Sequence, residues 1–168
     1  LAGAALRRSA LAGEGEAVAR VGDLAAVVPT LRGKVEFEVS EEGREDEVLE
    51  HLARQAVHET FLAHLSGADL TSLAEFFASG NAIATGDLVT ADEVLTQLGP
   101  TPGLGRLVSD LEGEAAESPG VVAACVEMVL EGLWLTRRIA KHRDRTTGVR
   151  YDAAGPAPGG GHRPAPGR

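Results

Sequence analysis

Two glycine-containing segments come closest to the loops with which proteins hold phosphate groups. A P-loop has the pattern G-x-x-x-x-G-K-[ST], in which the glycines free backbone N–H groups and the lysine reaches the outer phosphates. Gly33 and Lys34 match its end, but Val28 replaces the first glycine and Val35 replaces the hydroxyl residue. The dinucleotide pattern G-x-G-x-x-G also fails, because residues 103–108 end in valine. We therefore predict no catalytic and no nucleotide-binding residue in this chain, which lacks the parts for phosphoryl transfer.

Acidic residues and histidines are the remaining candidates for metal or acid–base chemistry. Residues 36–47 hold seven carboxylates, but they lack the D-x-[DN]-x-[DN]-G spacing of a calcium loop, and a solvated acidic segment at a helix N-terminus explains them more simply. The zinc pattern H-E-x-x-H is absent, since Leu62 follows His58 where a second histidine is needed. We predict no metal site and interpret the histidines as exposed or half-buried side chains. They are His51, His58, His64, His142 and His162.

The net charge and the cysteine content restrict the kinds of partner molecule and the cellular compartment that we expect for this chain. The net charge of -9 and the pI of about 5.0 disfavour binding to nucleic acid. The basic residues in 137–150 fit a helix C-terminus, with nucleic-acid or membrane contact as the alternative. Cys125 lies in an apolar stretch and fits a small core residue. No disulfide within the chain is possible and no apolar run approaches the ~20 residues that cross a bilayer, so we predict a cytoplasmic protein without a membrane partner.

Hydrophobic periodicity predicts a mainly α, helical bundle-like protein with at most one or two short extended segments. Alternation over residues 34–39 predicts a half-buried strand, although an extended linker that packs three apolar side chains would show the same pattern. Residues 82–84 are a second short extended candidate. From residue 152 onward the chain is rich in proline and glycine, which predicts a disordered tail. The predicted helices cover residues 1–12, 22–28, 44–65, 69–79, 91–98, 103–112 and 119–143.

Capping residues mark several predicted helix ends. Asp69, Thr90 and Ser118 are candidate N-caps. Gly13 is expected to end the first helix, and Pro29 the second. The chain also starts within a helical pattern without a methionine, so we expect a fragment or a processed product.

Three segments, in their order and spacing, resemble magnesium-chelatase-type (MoxR-related) AAA+ ATPases. Residues 3–24 are similar to a helix end of Ala-Glu-Arg-Arg-Ala type that leads through Gly-Glu to Pro-Arg-hydrophobic-x-Asp-Leu, with Ala19 in place of the proline. Residues 29–38 resemble Pro-Ala-hydrophobic-x-Gly-Lys-hydrophobic-Glu-hydrophobic, and residues 126–133 resemble Glu-Phe-hydrophobic-Leu-Glu-Gly-Leu. The matching residues of the first segment are Arg7, Arg8, Ala10, Gly15, Glu16, Arg20, Asp23 and Leu24.

The resemblance implies a division of the chain and a role for it. Residues 1–33 would be the end of the AAA+ lid helices, residues 34–151 a helical C-terminal extension, and residues 152–168 a disordered tail. An upstream core would bind ATP and Mg²⁺, and ATPase activity would belong only to the longer chain. The protein would form a ring-shaped homo-oligomer and couple hydrolysis to remodelling or metal insertion by a partner, such as a von Willebrand-type protein.

The resemblance also suggests contact residues. Arg20, Asp23, Gly33 and Lys34 are candidates for contacts with the core or with a neighbouring subunit; a local cap or a surface charge is the simpler interpretation of each. The competing interpretation of the whole chain is a stand-alone helical protein-interaction module without enzymatic activity.

Overall fold

The computed structural model describes residues 1–112, 118–144 and 148–155, and within them the chain is mainly α, as predicted. Two 3₁₀ helices cover Val21–Ala26 and Val39–Glu41. Three strands form one small sheet: β1 (Ile83–Thr85), β2 (Ile139–Asp144) and β3 (Gly148–Ala153). The described α-helices are α1 (Ala2–Ala12), α2 (Val27–Leu31), α3 (Glu45–Leu65), α4 (Thr71–Ala78), α5 (Ala91–Leu98), α6 (Leu104–Glu112) and α7 (Pro119–Leu135).

Helix α7 is the centre of the hydrophobic core. It contacts α3, α5 and α6, and its side chains are buried on several faces. A helix that is apolar on all sides must be surrounded by other elements in this way. Gly132 allows the closest approach, because a Cβ at this position would lie 2.0 Å from the Phe61 ring of α3. The largest fully buried side chains of the core are Phe77, Leu73, Ile83, Leu104, Leu107, Leu130, Val94, Val126 and Val129.

The sheet has the order β1-β3-β2, and both pairings are antiparallel. Ile83, Ile139 and Tyr151 are buried and join the core. The outer edge of β1 is closed by the Gln97 side chain of α5, which accepts the Ala84 N–H at 2.8 Å and donates to the Ala84 carbonyl at 3.0 Å. Edge β1 therefore has its backbone hydrogen bonds satisfied without another strand.

The strand predicted over 34–39 is wrong. This segment is irregular and ends in the short 3₁₀ helix, where Glu41 caps the Glu38 N–H. Val35 and Val39 are exposed, and only Phe37 is half-buried. The alternating pattern was misleading because none of the described strands pairs with this segment. The short extended piece predicted at 82–84 is confirmed as β1.

The prediction that the last helix runs to residue 143 is also wrong. Arg137 adopts a left-handed conformation with φ 60°, and the Arg137 and Arg138 N–H groups bond back to Trp134 and Leu133 carbonyls. This is the Schellman arrangement that ends a helix, so the chain leaves α7 after Leu135. Arg137 and Arg138 belong to the turn that ends α7, whereas Arg143 and Arg150 lie in strands β2 and β3 of the following hairpin.

Smaller differences concern helix ends. Pro29 does not end a helix: it lies within the first turn of α2, where its missing N–H has no intrahelical acceptor to lose. Thr90 caps α5 as predicted, accepting the Glu93 N–H. Asp69 accepts the Thr71 N–H at 3.0 Å, one residue before the N-cap position of α4. Strand β3 includes residues 152 and 153, which the sequence placed in the tail, and residues 156–168 lie outside the described part.

Candidate functional site

The turn after α1 brings a glutamate to the N-terminus of α5. Gly13 takes a left-handed conformation, and the Glu14 N–H bonds to the Ser9 carbonyl at 2.9 Å, which ends α1. The Glu14 carboxylate then accepts the Ala91 N–H at 2.6 Å. Because the first N–H groups of a helix have no partners within it, Glu14 supplies a cap to α5 from the far end of the sequence.

Two buried arginines meet the same carboxylate. Arg8 Nη1 donates to Glu14 Oε2 at 2.9 Å, and Arg20 Nη2 donates to Glu14 Oε1 at 2.6 Å. The Arg8 and Arg20 side chains are 4% and 1% exposed, so both guanidinium groups have left bulk water. Arg20 Nη1 also donates to the Val89 carbonyl at 2.9 Å, just before α5.

The Asp23 carboxylate contacts both Arg8 and Arg20. Its Oδ2 accepts the Arg20 backbone N–H at 2.8 Å and lies 3.4 Å from Arg8 Nε. Asp23 is therefore a cap of the 3₁₀ helix and an ion-pair partner at once. Asp23 is buried, which matters to the ion pair because surface ion pairs of this type contribute little.

A fifth charged residue, Glu127 in the middle of α7, contacts the group formed by Arg8, Glu14, Arg20 and Asp23. Its Oε1 lies 3.6 Å from Arg20 Nη1, and its Oε2 lies 3.5 Å from the Gly22 N–H. Burial raises the pKa of Glu127 to about 7, against the opposing attraction of Arg20. We call Arg8, Glu14, Arg20, Asp23 and Glu127 the arginine–carboxylate network.

The network balances charge only in part. Two guanidinium groups face three carboxyl groups, so the cluster approaches neutrality when Glu127 holds a proton. Arg20 Nε is a buried donor with no hydrogen-bond partner among the described residues. A charged group that is dehydrated in this way is costly unless it is paired, which makes each remaining contact of Arg20 important to stability.

A second buried acid lies one turn further along α7. Glu131 accepts hydrogen bonds from Lys141 Nζ and from the Tyr151 hydroxyl, each at 2.6 Å. Burial, with the Glu131 charge as a further cause, raises the pKa of Tyr151 above its usual range. Lys141 also lies over the Trp134 ring, 4.8 Å from its centroid. Helix α7 thus holds the N-terminal segment through Glu127 and the hairpin through Glu131.

These contacts join separate elements of the fold to one another. The carboxylates of the arginine–carboxylate network face guanidinium or backbone N–H groups, and the described residues contain no cluster of three or more histidine, cysteine, aspartate or glutamate side chains suited to a metal ion. A surface cleft of about 290 Å³ lies elsewhere, between the end of α3 and α6. Its polar lining residues are His64, Asp69, Arg106 and Asp110.

The structure separates the four predicted contact residues into two pairs. Arg20 and Asp23 are buried in the arginine–carboxylate network, where they contact α1, α7 and the Val89 carbonyl just before α5. Gly33 and Lys34 lie exposed in the turn after α2, where Gly33 has a φ of 77°. A contact of the exposed pair with a core or a neighbour stays a prediction.

Sequence reasoning missed the roles of Glu14 and Glu127. Glu14 stands in a glycine-rich turn and shows no pattern that points to a partner 77 residues away. Glu127 carried a signal, because it is a charged residue within the apolar stretch that forms α7. Cys125, predicted in the core, is half-buried and packs against it. Of the histidines, His51, His64 and His142 are exposed and His58 is half-buried, while His162 lies outside the described residues.

Comparisons with known proteins identify no relative: no protein-family model, no curated protein and no solved structure matches the chain. Among the helices that the structure describes, none is both long and apolar enough to cross a membrane.

Proposed function

We propose that this chain is the C-terminal portion of a magnesium-chelatase-like AAA+ ATPase, which couples ATP hydrolysis by an upstream core to remodelling or metal insertion by a partner protein. In this proposal ATP and Mg²⁺ bind the upstream core, the subunits form a ring in the cytoplasm, and a von Willebrand-type protein is a candidate partner. The described residues transmit movement and perform no chemistry.

The observation that carries the proposal is the meeting of two segments that carry the resemblance. Residues 3–24 and residues 126–133 are about a hundred positions apart, yet Arg20 and Gly22 of the first contact Glu127 of the second. Two distant segments that both resemble the same family are easier to explain when their residues contact each other in the folded chain. The contact supports reading the two segments as parts of one architecture.

The network also supports the mechanical part of the proposal. It joins α1 and the 3₁₀ helix to α5 through Glu14 and to α7 through Arg20. Separating these elements would expose or unpair two buried guanidinium groups, and removal of one partner from such a pair costs about 3–5 kcal/mol. A lid movement that the core imposes on α1 would therefore move α5 and α7 with it.

The test compares the longer protein with this chain alone. The coding sequence upstream should contain a Walker A lysine, and the longer protein should hydrolyse ATP with Mg²⁺. The 168-residue chain should show neither turnover nor heat of ATP binding in calorimetry. ATP turnover by the isolated chain would refute the proposal, and a native reading frame without an upstream core would favour the stand-alone interaction module.

A further inference from the structure

The two edges of the sheet end in different ways. At the β1 edge, the Gln97 side chain bonds to both the N–H and the C=O of Ala84. At the other edge lies β2, which has six residues against three in β1, and no described element pairs with its outer side. An uncovered edge strand presents backbone N–H and C=O groups to which another strand can bind.

The glutamine contact also shows which residues of β2 face outward. Ala84 directs its N–H and C=O away from β3, so those of its neighbour Arg150 point away from β1 and toward β2, where they meet His142. Because the direction alternates along a strand, Lys141 and Arg143 direct their N–H and C=O groups to the outer side. These outward groups bond to no backbone group among the described residues.

The side chains around this edge are basic. Arg143 lies on β2 itself, and Arg137 and Arg138 form the turn that leads into it. All three are exposed, and none forms an ion pair within the described part of the chain. Arg150 on the adjacent strand is exposed too, but it pairs with Asp152 at 3.5 Å. The edge is therefore positive, although the whole chain carries a net charge of -9.

We propose that the outer edge of β2 binds an extended, acidic segment of a partner protein, which adds a fourth strand to the sheet. The backbone of the added strand pairs with the outward groups of Lys141 and Arg143, which gives affinity without a particular sequence. Its carboxylates face Arg143 and Arg138, because neighbouring strands lie about 4.8 Å apart and opposite charges across them attract. Charge complementarity thus selects an acidic strand and repels a basic one.

Duplex DNA suits this edge less well than an acidic peptide does. Its phosphates would meet the arginines, but a nucleic-acid backbone has no N–H group to donate to the outward carbonyls of Lys141 and Arg143. The net charge of -9 also repels a long polyanion more strongly than it repels a short peptide. A peptide strand satisfies the carbonyl groups and the arginines together.

The edge-binding proposal goes beyond the proposed function and does not depend on it. The ATPase assignment concerns nucleotide turnover by a longer chain, whereas peptide binding at β2 is measured on this chain without nucleotide. Failure of peptide binding would leave the ATPase assignment intact. Conversely, a strand bound at β2 would remain a finding even if no upstream core were found.

The experiment is amide hydrogen exchange, followed by NMR on the ¹⁵N-labelled 168-residue chain. The probe is an acetylated heptapeptide of alternating glutamate and valine. In the free chain the N–H groups of Lys141 and Arg143 should exchange quickly, whereas that of His142, which pairs with β3, should exchange slowly. Saturating peptide should slow exchange at Lys141 and Arg143 about tenfold or more and leave His142 unchanged.

Two variants separate the charge from the backbone pairing. Arg143→Glu reverses the charge and should raise the dissociation constant of the peptide about tenfold. Arg143→Pro also removes the outward N–H, yet it breaks no bond to β3, because an edge strand accepts proline where the N–H faces solvent. The matched control is Arg106→Glu, which makes the same charge change at an exposed position of α6 and should change the constant by less than about twofold. Circular dichroism should show that every variant remains helical.

Two altered peptides complete the test. The same heptapeptide with every peptide nitrogen methylated keeps its charge but cannot donate hydrogen bonds, so it should not bind; nor should a peptide of alternating lysine and valine. Equal binding of the methylated peptide would overturn the proposal, and so would binding of duplex DNA with no binding of the peptide. Slow exchange of Lys141 and Arg143 in the free chain would overturn it too, since the edge would then be covered already.

Discussion

Glu14 and Ala91 are 77 residues apart in sequence, and the Glu14 carboxylate accepts the Ala91 N–H at a distance of 2.6 Å. The same carboxylate receives both arginines of the arginine–carboxylate network. One side chain therefore connects the end of α1, the loop that follows it and the start of α5.

Replacement of Glu14 should be among the most damaging single changes in the chain. Glu14→Ala leaves Arg8 and Arg20 buried without their common partner, and we expect the free energy of unfolding to fall by about 3–5 kcal/mol. Urea denaturation measures this loss. Glu36→Ala, at an exposed position, is the control and should change stability by less than about 0.5 kcal/mol. A loss at Glu14 as small as that of the control would contradict the role given to the network.

Glu127 should make the free energy of unfolding fall as the pH rises, whereas paired carboxyl groups usually make it fall as the pH drops. Its folded pKa of about 7 lies above the ordinary value of 4.5, so between these values the folded state holds the proton that the unfolded state has lost. Stability from this group is therefore complete below about pH 4.5 and declines until about pH 7. The free energy of unfolding should fall by about 3 kcal/mol in total, because each pH unit between the two pKa values contributes about 1.36 kcal/mol.

The variant Glu127→Gln isolates that effect from the other titrating groups. The amide resembles the protonated carboxyl, so the variant should match the wild type near pH 4.5 and exceed its stability near pH 8. Arg20, Arg8, Asp23 and the Gly22 N–H face the group and are the same in both proteins. A stability difference that does not change between these pH values would show that Glu127 does not titrate as described.

Gly132 should tolerate no side chain. A Cβ there would lie 2.0 Å from the Phe61 ring, so Gly132→Ala should force α3 and α7 apart and cost about 1–3 kcal/mol or more. The double variant Gly132→Ala/Phe61→Leu should recover part of this loss in thermal denaturation. Gly105→Ala in α6 is the control, because a Cβ at that position meets nothing within 4 Å. It should stabilise the helix by about 0.5–1 kcal/mol, and a similar gain at Gly132 would contradict the packing.

Removal of the Tyr151 hydroxyl should weaken the attachment of the hairpin to α7. Tyr151→Phe removes a 2.6 Å hydrogen bond to the Glu131 carboxylate, and hydrogen bonds to charged groups contribute about 1.5–3 kcal/mol. In a double-mutant cycle with Lys141→Met, the two losses should be non-additive because both side chains bind the same carboxylate. Strict additivity of the two changes would argue against a shared site.

Local sequence patterns predicted the presence of the helices better than they predicted the helix ends or the β-sheet. The Thr90–Glu93 capping box and the apolar face of α3 act within a few residues, so the sequence shows them directly. The hairpin was missed because basic residues after an apolar helix also fit a helix C-terminus. What decides between the two is the left-handed Arg137 and the pairing of β2 with β3.

The candidate site was predictable only in part, for a related reason. Arg20 and Asp23 were selected through the resemblance, and the structure brings them together with Arg8. The residues that bind them from outside the segment could not be found by periodicity, because Glu127 and the N-terminus of α5 approach through tertiary packing. A charged residue within an apolar helix was the one local signal.

The central claim is that the N-terminal segment and the rest of the extension move as one body. We would measure it by electron–electron spin resonance in the longer, ATP-hydrolysing protein, with Cys125→Ser and labels at Leu6→Cys on α1 and Glu59→Cys on α3, both exposed. We predict one narrow distance distribution that is the same with an ATP analogue and with ADP, and a broader one in Glu14→Ala. A distance that changes with the nucleotide while the arginine–carboxylate network is intact would contradict the account.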